Sequence, residues 1–274
     1  MKLLNWNIGS LNSLFFSKSE RAIQSRSVLK KISQQNYDVI SFQEIKISPA
    51  GPTNKEIACL NKYFSDYHMV WRSSQKPAKL KYSGVLFLYS PKLKPLKIIK
   101  PKIDDQNLDN EGRLLVLEFE KYYLVNSYVP HYEFHKEKQY DHWMKELTEY
   151  LVMLSTDKPL LLTGDLVILP IIGQSFTRNK RAVQKFEDQY SNLIKLGLID
   201  AYAVKPNNAN SATWWASNIP KQIDQGIRLD YWFVSQELKS KIIESGPLDT
   251  GKRRDHAPVI LKIKSIKGEL IWQR

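Results

Sequence analysis

Arg254-Asp255-His256-Ala257-Pro258-Val259-Ile260-Leu261 sets a carboxylate beside an imidazole, then a proline, then an apolar run. Proline cannot continue a helix, and the apolar run reads as a strand. Asp255 and His256 therefore stand at the mouth of a sheet, where the backbone is irregular and side chains converge. An imidazole exchanges protons near neutral pH, and a carboxylate holds a metal ion or a water. Taken alone, such a pair is most simply a surface turn. Chemistry requires that other polar groups meet it.

Working outward, strands are expected over 2–6, 38–42, 67–72, 83–89, 96–99, 113–119, 122–128, 159–163, 199–203, 228–234, 241–244 and 259–264. The tight Glu120-Lys121 connection makes 113–119 and 122–128 a hairpin. Helices are expected over 20–35, 54–64, 135–154 and 179–196, the last stopped by Gly197. Hairpins mixed with a few helices argue for an α+β (α/β sandwich) chain. Its two mixed, mostly antiparallel sheets pack face to face with helices outside, in place of a doubly wound parallel sheet. With no linker, low-complexity tract or short repeat in 274 residues, 1–274 reads as a single domain with 265–274 as a short tail.

An apolar fraction of 42% fills a core, and the single cysteine, Cys59, makes no internal disulfide. The first residues lack a signal-peptide core and no run is long enough to span a bilayer, so a cytoplasmic, membrane-free monomer is expected. Lysine and arginine exceed the acids by 41 to 28, a net charge of +13. A basic surface attracts polyanions, nucleic acid above all. The charges cluster at Lys76-Lys79-Lys81, from Lys92 to Lys102, at Arg178-Lys180-Arg181 and at Lys252-Arg253-Arg254. The run at 92–102 is explained as a solvated face. The 252–254 run is harder to dismiss because it abuts Asp255.

Polar groups recur at the expected strand ends: Asn7, Glu44, Tyr128, Asp165, Asp230 and Asp255-His256. If these ends share one rim, they form an acidic pocket in a basic protein. Carboxylates hold Mg²⁺ through oxygen, and the metal then neutralises phosphate oxygens.

These elements fall in a familiar order: Asn5-Trp6-Asn7, Phe42-Gln43-Glu44-Ile45-Lys46, Tyr82-Ser83-Gly84-Val85, Glu111-Gly112-Arg113, Tyr128-Val129-Pro130, Gly164-Asp165, Gly226-Ile227-Arg228-Leu229-Asp230-Tyr231 and Asp255-His256-Ala257-Pro258. Each is weak alone, but in register from Lys2 to about Lys264 they resemble the exonuclease III class of apurinic/apyrimidinic endonucleases, within the endonuclease/exonuclease/phosphatase superfamily. The resemblance implies a four-layer sandwich and Mg²⁺-dependent hydrolysis of DNA phosphodiesters, with Mn²⁺ as an alternative ion. It implies Glu44 as the principal metal ligand, with Asn7 and Asp255 beside it. His256, oriented by Asp230, would act on the phosphate. Tyr128 would contact the phosphate or leaving group, and Asp165 would position or deprotonate the attacking water. Trp214 and Ile227 would line an abasic-sugar pocket; for Trp214 an ordinary sheet aromatic is an equal reading, and for Trp215 the better one. Arg178, Arg181, Arg228, Lys252, Arg253 and Arg254 would face double-stranded DNA carrying an abasic site or a 3′ end. The other histidines, His131 among them, show no ligand spacing and read as surface or core.

Four departures stand out. Val167 occupies the place of a family asparagine, Gly9 the place of a polar or acidic residue, and Arg254 the place of a serine. The segment 166–176 is short and apolar. Val167 and Gly9 remove polar groups from the pocket, which implies a slow DNA repair nuclease. Two other readings stay open: a weak or inactive nucleic-acid-binding protein on the same fold, and a phosphoesterase of small molecules or lipid headgroups.

Overall fold

The computed structural model describes residues 1–103, 108–132, 137–170, 180–216, 226–251, 253 and 255–266. Two six-stranded sheets dominate. The first runs, in spatial order, β12 (Ile242–Pro247), β14 (Val259–Ile263), β1 (Lys2–Asn7), β2 (Val39–Gln43), β4 (Gly84–Tyr89), β3 (His68–Ser73). The second runs β5 (Lys97–Ile99), β6 (Leu114–Glu118), β7 (Tyr123–Tyr128), β8 (Leu160–Asp165), β11 (Asp230–Ser235), β9 (Leu198–Asp200). Each sheet holds one parallel pair at its centre, β1 with β2 and β7 with β8, and its other pairs are antiparallel. The chain is thus the mixed α/β sandwich expected from its sequence.

Three apolar clusters make the layers. Leu3, Val39, Phe87, Leu117, Leu124, Leu161, Trp232 and Leu261 pack between the sheets. Leu4, Trp6, Ile40 and Phe42 face outward against α1 (Leu11–Phe16), α2 (Glu20–Ser33) and α3 (Asn54–Asn61). Val125 and Leu162 face outward on the other side against α4 (Glu137–Ser155) and α5 (Lys180–Lys195). A period of two carries alternate residues to one face of a strand, and here both faces are buried, so the strands read as near-continuous apolar runs.

That period also places the polar residues. Along β1 the inner face reads Leu3, Asn5, Asn7; along β2 Val39, Ser41, Gln43; along β7 Leu124, Asn126, Tyr128; along β8 Leu161, Thr163, Asp165. β11 runs the other way and pairs Asp230 with Asp165. The space between the sheets is apolar at one end and polar at the other. Gln43 Nε2 donates across it to Asn126 Oδ1 at 2.7 Å, and Asn126 returns its amide to the carbonyls of Phe42 and Leu86.

Three local expectations differ, and a fourth falls partly outside the described residues. The strand expected over 199–203 is β9 followed by α6 (Ala201–Val204), because the Asp200 carboxylate accepts the Tyr202 N–H and caps a helix turn. α1 went unread although Ser10 caps it through the Ser13 N–H. Residues 135 and 136 of the helix expected over 135–154 lie outside the described residues, and α4 is described from Glu137 to Ser155. Trp214-Trp215 (β10) and Asp255-His256 (β13) pair in a small antiparallel ladder of their own, Trp214 opposite His256 and Trp215 opposite Asp255.

Candidate active site

The strand-end residues meet at the polar rim. Asn7 Nδ2 donates to Glu44 Oε1 at 3.0 Å and to Asp165 Oδ2 at 2.9 Å. Tyr128 Oη donates to the same Glu44 oxygen at 2.9 Å, and Lys46 Nζ lies 2.6 Å from Glu44 Oε2. His256 Nδ1 meets Asp230 Oδ2 at 2.8 Å, and its Nε2 stands 3.7 Å from Asp165 Oδ2. Thr213 Oγ1 accepts the backbone N–H groups of Leu229 and Asp230, fixing the entry to β11. Asn7, Glu44, Tyr128, Asp165, Asp230, Asp255 and His256 are thus one constellation.

The backbone is bent to make it. Glu44, Lys46, Val167 and Asp255 have φ of 53°, 52°, 49° and 76°. Four of the six non-glycine residues with positive φ among the described residues lie here; such conformations cost on the order of 1–3 kcal/mol each and persist where the surroundings over-determine them. Gly164 supplies a close approach. A Cβ there would sit 1.7 Å from the Ser127 carbonyl oxygen, so only glycine lets β8 lie against β7 one residue before Asp165.

Burial dominates the electrostatics. It pushes the Asp165 carboxyl up to about 7, with Asp230 reinforcing it and His256 and Asn7 opposing. Burial disfavours a charged His256 ring, but Asp230 and Asp165 outweigh it and raise the imidazole to about 10. Burial also works to raise Glu44; Lys46, Asn7 and His256 overcome it and hold the carboxyl below its ordinary range. Burial and the Glu44 charge drive the Tyr128 phenol well above its ordinary range, so it keeps its proton. The rim therefore carries an ionised Glu44, a protonated phenol, a protonated imidazole and an aspartate of raised basicity.

Asp165, Asp230 and His256 bring a ligand atom each within 4.8 Å of one another. His256 Nδ1 is already engaged by Asp230, and Mg²⁺ takes oxygen ligands. The ionised Glu44 carboxylate, with Asn7 beside it, fits a hard cation better. Asp165 Oδ1 is buried and has no hydrogen-bond partner among the described residues, a further oxygen donor at the same rim.

Beside the cluster lies a cavity of roughly 280 Å³, lined by Trp214, Ile227, Leu229, Val129, Val167 and Phe186 with His131 and Tyr132. Trp214 and Ile227 line this cavity, and Trp215 is buried. His131, read as surface or core, belongs to this wall, as does Phe186 from α5. Neither carries a local motif. Val167 turns its side chain into the cavity wall, and Tyr140 Oη bonds its carbonyl at 2.9 Å.

The basic residues divide. Arg228, expected on DNA, is 5% exposed and paired to Asp200 at 2.6 and 3.2 Å. Arg253, expected likewise, is 1% exposed. Its Nε donates to Ser25 Oγ at 2.7 Å, an Nη reaches the His256 carbonyl, and its guanidinium covers the Trp6 ring. Both serve the fold, because each finds its partners inside. Arg181 is exposed and pairs with Glu137. Arg178, Lys252 and Arg254 lie outside the described residues. Arg21, absent from any motif, places Nη2 3.1 Å from Asp255 Oδ2.

Two mixed sheets in a sandwich, with carboxylates, an amide, a phenol and an imidazole gathered at one rim, define a hydrolase of phosphate esters. Residues 4–250 match the model described as "Endonuclease/Exonuclease/phosphatase family". The chain belongs to that family and, within it, to the exonuclease III/apurinic-apyrimidinic endonuclease group, whose members are metal-dependent nucleases acting on DNA. An exodeoxyribonuclease of Streptococcus pneumoniae is 37% identical over 276 residues, covering 96% of this chain and 99% of that one. In fold the chain is similar to a 3′ phosphatase from Neisseria bound to product DNA hairpin, with a TM-score of 0.75, 20% identity, and 97% and 100% of the two chains covered. An AP endonuclease from Archaeoglobus fulgidus aligns with a TM-score of 0.73, 18% identity and the same coverage. Among the described residues no helix is long and apolar enough to cross a membrane.

Proposed function

We propose that this chain is a Mg²⁺-dependent DNA repair nuclease that hydrolyses phosphodiesters at abasic sites and at DNA 3′ ends. The observation that carries the reading is the continuous set of contacts Tyr128–Glu44–Asn7–Asp165, facing the His256–Asp230 pair across 3.7 Å. In-line attack on a phosphodiester needs a held water, a base for its proton and positive charge at the phosphoryl oxygens. Asp165, made more basic by burial, takes the water proton while Asn7 Nδ2 fixes its carboxylate. Asp230 holds the His256 ring and keeps it charged, so that its Nε2–H faces the phosphate. Tyr128 keeps a proton to donate to a phosphate or leaving oxygen. Glu44 and Asn7 would hold the Mg²⁺, which supplies a Lewis acid to the phosphoryl group. The cavity bounded by Trp214 and Ile227 takes the extruded sugar; extrusion is least unfavourable where a base is missing.

Val167 makes this a slow member of its class. It offers no hydrogen bond at the cavity wall, and its φ of 49° is a conformation that asparagine adopts readily and a β-branched residue resists. The test is cleavage of duplexes carrying one tetrahydrofuran abasic analogue or a free 3′ end, with Mg²⁺, with Mn²⁺ and with neither. Metal-dependent strand scission is expected. Tight binding with no scission under any condition replaces the enzyme by the binding-protein reading.

A further inference from the structure

Gly9 lacks the side chain that the resemblance leads one to expect beside the metal, and the structure fills that space from elsewhere. A Cβ on Gly9 would lie 2.1 Å from Nη2 of Arg21. The Arg21 side chain therefore crosses the open face of Gly9, two residues beyond Asn7. The same nitrogen pairs with Asp255 Oδ2, whose other oxygen stands 4.0 Å from His256 Nε2. Arg21 comes from the first turn of α2, which is fixed to β13 a second time: Ser25 Oγ donates to the Arg21 carbonyl and accepts from Arg253, which in turn reaches the His256 carbonyl. Two arginines thus stitch α2 to Asp255-His256. Arg253 is buried with its charge spent on the fold, whereas the Arg21 side chain is 52% exposed. No other ion pair or hydrogen bond to its guanidinium is found among the described residues.

We propose that Arg21 is a substrate-positioning residue that presents a fixed guanidinium to a DNA phosphate at the rim of the site, in the space Gly9 leaves free and aimed by Asp255. The inference rests on the nuclease reading above. A planar guanidinium binds one carboxylate and one phosphate through different edges, which lysine does not do with equal geometry. Holding it through Asp255 removes its freedom before substrate arrives. Asp255 is correspondingly committed to Arg21, and Glu44 with Asn7 is left as the cation's principal support.

The experiment measures binding of a labelled duplex with one tetrahydrofuran abasic analogue, in EDTA, across a range of salt. The proteins compared are the natural chain, Arg21→Ala, Arg21→Lys, Asp255→Asn and the Arg21→Ala/Asp255→Asn double variant. Each phosphate contact adds about 0.9 to the slope of log affinity against log salt. Arg21→Ala is expected to lower that slope by about 0.9, so that a fourfold rise in salt costs it about threefold less affinity than it costs the natural chain. Arg21→Lys should retain the slope with weaker binding. The loss of slope should persist in the Asp255→Asn background, since it arises from a phosphate contact. An unchanged slope in Arg21→Ala, or a change that vanishes once Asp255 is neutral, overturns the proposal and leaves Arg21 as a partner of Asp255 alone. Salt-independent binding by the natural chain brings down the nuclease reading itself, and this inference with it. Arg21 is half exposed, so the variants should fold, and circular dichroism checks that they do.

Discussion

Val167→Asn should raise turnover on abasic DNA while leaving stability nearly unchanged. Two opposing terms act on the fold. Val167 is 4% exposed and packs in the cluster beneath α4 and α5, so replacing it with an amide forfeits on the order of 1.5–3 kcal/mol of burial. Its φ of 49° is a left-handed conformation that costs an ordinary L-residue about 1–2 kcal/mol and a β-branched one more, and asparagine escapes most of that. The amide also faces a cavity where it meets solvent or substrate, which offsets part of the burial loss. The midpoints of these figures leave a net cost of about 1 kcal/mol or less. The rate term is larger: one pre-organised donor at a developing charge is worth roughly 10²–10³ in rate, about 3–4 kcal/mol. Single-turnover cleavage at saturating protein isolates the chemical step. Anisotropy gives affinity and a thermal scan gives stability. A faster chemical step with affinity and midpoint close to the natural chain is the expected outcome. A folded variant no faster than the natural protein refutes the reasoning. Val167→Ala separates the terms, since it removes burial and supplies no amide: it should lose stability and gain no rate.

Glu44→Ala should abolish metal-dependent cleavage and leave DNA affinity nearly intact, because Glu44 contacts Asn7, Tyr128 and Lys46 at the rim; unchanged turnover on metal titration removes it from the metal site. Asp230→Asn keeps the shape at 2.8 Å from His256 and loses the charge, so the rate should fall by roughly 10²–10⁴, with His256→Ala at least as slow; a natural rate in the Asp230 variant means that the pair does not act together. Alkaline pH should unfold the chain early. Burial raises the Tyr37 and Tyr150 phenols to about 12 and pushes Tyr140 and Tyr231 up as well, so the folded state keeps protons that the unfolded chain releases near pH 10. The stability these groups supply is whole below about pH 10 and is lost as pH rises through their raised folded values. Tyrosinate absorbance should then appear together with loss of ellipticity, and a smooth titration of all the phenols near pH 10 in a folded chain counts against it.

Much of this molecule was legible in the order of its residues. Local rules suffice for β1, β2, β4, β7 and β8, because apolar runs of five or six residues bounded by turn signals leave few alternatives. The polar residues that close those runs marked the rim as well. Asn7, Tyr128, Asp165 and Asp230 end or begin strands, Glu44 directly follows β2, and strand ends of one sandwich share an edge. What failed locally was short. Three residues of β9 and four of α6 are decided by one Asp200 cap. β13 is two residues long and exists because β10 lies beside it.

The tertiary structure alone decided which charges face water. Arg228 and Arg253 sit in basic or motif-bearing stretches no different in composition from an exposed patch, yet one is bound to Asp200 and the other to Ser25, residues 28 and 228 positions away. A sequence lists charges without their partners, and a guanidinium joins DNA or the core according to what the fold sets within hydrogen-bonding reach. The same holds at Gly9. The sequence shows a side chain missing there, and only the packing of α2 against β13 brings Arg21 into the gap. Polar residues at strand ends follow from a period of two along each strand, a local property. Their distances, their shifted protons and the choice between Arg21 and Arg253 as the exposed cation depend on contacts between segments far apart in the chain, where burial and neighbouring charge set the energies.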